Sequence, residues 1–151
     1  MATTFLGDIP SGSLRSHYVS HASIASNGAS SAFGVGTDQL RWRAPQACII
    51  LGAQWEAVGA SQAATVSDSY RRFTVYNAST DGTGTAVLGS LNLSATLASN
   101  GTRAFTMQTA TSLLTVPSGA LIAVSQTTVG GNDNGGTIVV AGGIHINYRP
   151  I

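Results

Sequence analysis

The chain has 151 residues, a formal net charge of +1 and only 9% charged residues, against about 25% in an average globular domain. All of its basic residues are arginine, too few for the basic face that non-specific nucleic-acid binding requires. Six acids and three histidines exclude a carboxylate-rich or multi-metal enzyme, and a hydrophobic content of 43% excludes charge-driven disorder.

The length suits one domain with its own core. Cys48 is the only cysteine, so no intrachain disulfide forms. It lies in the apolar run Cys48-Ile49-Ile50-Leu51 and reads as a buried thiol. The first residues lack a basic segment followed by an apolar one, so no secretory signal is expected. No stretch reaches the roughly 18 apolar residues of a membrane span.

Residues 1–38 read as an extended N-terminal arm and linker. Leu14 to Ile24 has a weak strand-like pattern, and Ser26 to Gly36 is Ser/Gly/Ala-rich. From residue 39 the chain alternates with period 2 between turn signals, and no segment sustains a 3.6-residue period. A strand over 39–44 puts Leu40, Trp42 and Ala44 on one face and Arg41 and Arg43 on the other. Pro45 stops it, having no N–H and restricting Ala44. A strand over 48–58 puts Ile49, Leu51, Ala53, Trp55 and Ala57 together, with Gln54 and Glu56 opposite.

Residues 59–69 are small and polar, a loop. Tyr70 to Tyr76 form a strand, Phe73 and Val75 facing one way and Arg72, Thr74 and Tyr76 the other. Asp81-Gly82 is a hairpin signal, followed by a strand over 85–93. Ser99-Asn100-Gly101 marks a turn. Residues 103–109 alternate with Phe105 and Met107 inward. Pro117-Ser118-Gly119 bends the chain before a strand over Leu121–Thr128. Residues 130–136 are a glycine-rich loop. A last strand spans about Thr137–Tyr148, with Gly142-Gly143 suggesting a bulge or a close approach. The sum is an all-β sandwich of about eight antiparallel strands over residues 39–151.

Catalytic constellations are missing. His17 and His21 lack a third ligand, so no metal site is expected. Asn132-Asp133-Asn134-Gly135 has one carboxylate, short of a calcium loop. Glu56 and Asp68 could form a carboxylate pair, but no aromatic platform flanks them. His145 takes the face opposite Ile144 and Ile146, a surface or interface position. No serine-hydrolase elbow or phosphate loop exists, and no enzyme activity or cofactor is expected. Arg41, Arg43, Arg71 and Arg72 read either as solvated edge charges or as a docking surface. Trp42, Trp55, Tyr70 and Tyr76 are mostly core, and Tyr76 is the interface candidate among them.

The run Arg41-Trp42-Arg43-Ala44-Pro45-Gln46-Ala47-Cys48-Ile49-Ile50 resembles the opening strands of jelly-roll proteins from tailed-phage virions. Val116-Pro117-Ser118-Gly119-Ala120-Leu121-Ile122-Ala123-Val124 is similar to their Val-Pro-x-Gly corner. Gly143-Ile144-His145-Ile146-Asn147-Tyr148-Arg149-Pro150 is similar to their closing strand. The resemblance covers residues 39–151, and its nearest functional match is the bacteriophage capsid decoration, or cement, protein. It implies a jelly-roll fold and a homotrimer that binds the major capsid protein in the assembled lattice and stabilises it. It further implies a place on the virion surface after synthesis in the host cytoplasm, with no nucleic-acid or membrane partner. On that reading Phe5, Leu6, Ile9 and Leu14 of the arm reach over a neighbour, with Arg41, Arg43, Arg71, Arg72 and Tyr76 in the interface. The alternative is a receptor- or carbohydrate-binding jelly-roll module of a tail fibre or tail tip using loops 59–69 and 130–136. Neither loop has an aromatic residue.

Overall fold

A computed structural model describes residues 14–25, 40–57, 70–129 and 139–151. In chain order the strands are β1 (Arg15–Ala25), β2 (Leu40–Arg43), β3 (Cys48–Ala57), β4 (Tyr70–Asn77), β5 (Ala86–Leu93), β6 (Thr102–Ala104) and β7 (Thr106–Met107). A one-turn helix α1 (Thr111–Leu114) precedes β8 (Thr115–Val116), β9 (Leu121–Val129) and β10 (Val139–Pro150). Two antiparallel sheets form. The first runs β1-β10-β3-β6, with β8 also on β3, and the second runs β2-β9-β4-β5-β7. Neighbours in chain order repeatedly fall in opposite sheets, so the connections cross between layers, as in a double-sheet jelly roll.

The inner faces meet in one apolar core. Trp55 of the first sheet stacks on Phe73 of the second with ring centroids 4.4 Å apart. Trp42 of the second sheet tilts against Tyr148 of the first at 4.8 Å. Ile50, Val75, Leu88, Ile144 and Ile146 fill the space between. Period-2 strands with one apolar face each produce this packing directly.

Two bulges reset the alternation. On sequence Ile49 and Leu51 belong with Trp55, but Tyr148 pairs with Ile50 while Asn147 pairs with Gly52. Leu51 is the extra residue, and the strand changes phase across it. Cys48 and Ile50 therefore point inward, and Leu51 is 47% exposed. The same device acts in β5, where Val75 pairs with Gly89 and Tyr76 with Val87, leaving Leu88 as the extra, buried residue. In β10, Gly142 and Gly143 pair in regular register with both neighbours, and the irregularity sits beside them, between His21 and Ile24 of β1.

The expectation of one strand over 103–109 is corrected. Phe105 donates its amide to Ala53 O in the first sheet, and Thr106 and Met107 already pair with β5 in the second. The chain changes sheets at this buried ring, and with the short β8 this divides about eight expected strands into more, shorter ones. Residues 111–114, read as the lead-in to a strand, form α1. Within residues 1–38, set apart as arm and linker, residues 15–25 pair with β10 as a full strand of the first sheet. Residues 1–13 and 26–38 lie outside the described residues.

The expected turn after β4 forms around Asp81. Its carboxylate accepts the Thr83 amide at 3.0 Å and the Thr83 hydroxyl at 2.9 Å, which hold Asp81 below the usual carboxylate range. Gly82 takes φ +85, a conformation that suits glycine.

Cys48 is fully buried, and desolvation pushes its thiol up from 9.0 to about 11. The native thiol is therefore expected to resist alkylation at pH 8 and to react once denaturant opens the core. The folded state keeps its proton where the unfolded thiol loses one, so this group's contribution to stability falls as pH rises from about 9 to about 11. Rapid native labelling would contradict the burial.

Candidate interaction surface

The outer face of the second sheet is built from the positions that alternate with the core. Thr74 pairs with Ser125 on one side and Ser90 on the other, and Ser90 pairs with Thr106. Four hydroxyl side chains thus form one row across β9, β4, β5 and β7, the kind of cross-strand set a half-buried sheet face favours. Beside that row, Arg72 Nε donates to Asn92 Oδ1 at 3.0 Å and its Nη2 to Tyr70 Oη at 3.3 Å.

Arg43 has a different job. Its Nη1 donates to Gly119 O at 2.6 Å and Thr80 O at 3.4 Å. It ties β2 to the Pro117-Ser118-Gly119 corner and to the turn after β4. Gly119 N donates to Ala44 O, and Ala44 N to Ala120 O, so the corner is closed by backbone as well. Arg43→Ala is expected to cost about 1 kcal/mol, with Arg43→Lys intermediate, in urea denaturation. No change would show that the contacts carry no weight.

Tyr76 lies on the outer side but is only 3% exposed. It packs with Ala78, Ala123 and Leu121 in a small second cluster under the turn, so this interface candidate presents little surface to a partner. Arg41 and Arg71 occupy register positions opposite Ala123 and Leu93 respectively. Leu14 is 71% exposed at the start of β1. Phe5, Leu6, Ile9 and the loops 59–69 and 130–136 fall wholly or almost wholly outside the described residues.

On the outer face of the first sheet, His145 Nε2 lies 2.7 Å from Glu56 Oε2. Each group's outward position follows from strand parity, but their meeting depends on β3 pairing with β10. That pairing joins residues 89 apart in sequence, and no local signal reveals it. Arg103 is a second contact sequence reasoning missed. It sits on β6 and donates to Ala95 O at 3.3 Å. Among the described residues, no group of three or more His, Cys, Asp or Glu could hold a metal ion. No helix there is long and apolar enough to cross a membrane.

No family model and no curated protein sequence matches the chain. Solved structures do. The chain is similar to a protein in the structure of infectious bursal disease virus, Gx strain, at TM-score 0.50 and 15% identity, over 99% of this chain and 36% of that one. It is also similar to the VP2 subviral particle of infectious bursal disease virus, at TM-score 0.48 and 15% identity, over 99% and 37%. The chain thus spans little more than a third of the length of these viral capsid proteins. The sandwich is a viral capsid jelly-roll fold.

Proposed function

We propose that the chain is a virion structural protein, a bacteriophage capsid decoration or cement protein that binds the assembled major-capsid lattice as a homotrimer and stabilises it. The observation that carries this reading is a capsid-type jelly roll whose second sheet turns a hydroxyl-rich face outward. There Arg43 and Arg72 spend their hydrogen bonds on acceptors of the same chain. Docking such a face desolvates few unpaired charges, the usual obstacle to burying polar protein surface. The stretches motivating the phage resemblance occupy definite places here: β2 into β3, the corner before β9, and β10.

A protein that binds the assembled lattice and not its free subunits adds its binding free energy to the lattice, about 2.7 kcal/mol per site at a hundredfold excess over Kd. The test adds purified chain to expanded heads that lack it, measuring occupancy and the temperature of head disruption. Saturable occupancy with a raised disruption temperature is expected. Absent binding would refute the reading, and sedimentation showing a monomer both free and on the particle would refute the trimer. A chain lacking residues 1–13 tests the arm, and unchanged attachment would remove Phe5, Leu6 and Ile9 from the interface.

A further inference from the structure

We infer that β1 is a pairing edge for a second copy of this chain, whose own β1 adds antiparallel to it about a twofold axis near Tyr18. β1 ends the first sheet, and among the described residues only β10 pairs with it. Its other side therefore presents a row of backbone N–H and C=O groups, a template for another strand.

The contrast with the other outer strands is large. β2 has 4 residues, β6 has 3, and β7 and β8 have 2 each, whereas β1 has 11. Short edges limit unwanted pairing, as do lysine, proline and bulges. The β1 sequence, RSHYVSHASIA, contains no Pro, Lys, Asp or Glu. Its one such device is the irregularity between His21 and Ile24. That leaves Arg15–His21 in unbroken register with β10, from Tyr148 to Gly142.

Charge selects the occupant. Within Arg15–His21 the one permanently charged residue is Arg15, at the end. A second copy running antiparallel about Tyr18 sets Arg15 opposite His21, Ser16 opposite Ser20 and His17 opposite Val19. The two Arg15 groups then lie at opposite ends of the ribbon. Parallel pairing would set Arg15 against Arg15, which is unfavourable. A strongly acidic or basic partner would find almost nothing to complement. The self-pair also uses the commonest closed symmetry of protein assemblies, joining two first sheets into one. It does not depend on the virion reading above, since it rests on the edge alone.

The test uses sedimentation of the full chain with cysteine variants, the natural Cys48 being fully buried. The wild type is expected to show a concentration-dependent twofold assembly, and Ser20→Lys to weaken it more than about tenfold with an unchanged unfolding midpoint. Under mild oxidation, Tyr18→Cys should cross-link to itself. Ser16→Cys and Ser20→Cys should each stay uncross-linked alone and form a mixed disulfide when combined, because antiparallel neighbours lie within disulfide reach. A wild type that shows no self-association at any concentration overturns the proposal. Self-cross-linking of Ser16→Cys also overturns it, since that pattern belongs to parallel pairing or another register.

Discussion

Trp55→Ala is expected to lower the stability of the sandwich by about 3–5 kcal/mol, a large share of the roughly 5–15 kcal/mol that folded domains possess. Trp55 is fully buried on β3. It pairs laterally with Ile144 and Arg103 and stacks across the layer gap on Phe73, also fully buried, at an interplanar angle of 22°. Its removal deletes an aromatic contact between sheets and leaves a cavity where close-packed neighbours can relax only partly. Trp55→Phe keeps part of the ring and should lose less. Urea denaturation decides the matter: a loss below about 1 kcal/mol would mean that the two sheets do not meet at this residue.

Removal of residues 1–25 is expected to cost at least about 3 kcal/mol, whereas removal of residues 1–13 should leave stability nearly unchanged. The difference is β1. Its register with β10 runs from Arg15↔Tyr148 to Ala25↔Val139, and without it a central strand becomes an unprotected edge. Ile144 and Ile146 of that strand, each 1% exposed, would lose their cover on that side. The comparison also matters for attachment to capsids. A truncation through β1 mixes misfolding with lost contacts, and only the shorter one isolates the arm. Equal denaturation midpoints for the two truncated chains would take β1 out of the fold.

The fold class was legible because alternation is a local property. Phe73 and Val75, Ile144 and Ile146, and Trp42 and Ala44 face inward as period 2 demands. The hairpin turn at Asp81-Gly82 was legible from its residues as well. Where alternation failed, the cause was a bulge. Leu51 and Leu88 each invert the phase of their strand, and whether a strand bulges depends on its partner's register. Phe105 fits a continuous period-2 pattern in sequence, yet in space it is where the chain leaves one sheet for the other. The site was less legible than the fold. Arg43 and Arg72 were visible as outward arginines. Their acceptors at Gly119 and Asn92 are set by long-range pairing, as is the meeting of His145 with Glu56. Tyr76 was placed on the outer side by parity, but its cover by Ala78 and Leu121 depends on how the following turn folds back.

The self-contained arginines have a consequence for behaviour in salt. Arg43 is engaged by two backbone carbonyls, Arg72 by an amide and a phenol, and Arg103 by Ala95 O. Each copy carries a formal net charge of +1. Many copies set side by side would therefore accumulate little mutual repulsion, even where spacing falls inside the screening distance of about 8 Å at physiological ionic strength. Packing density on a surface would then be limited by shape and not by ionic strength. A nearly flat dependence of occupancy on added sodium chloride is the signature to look for, in contrast to the steep curves of charge-steered association.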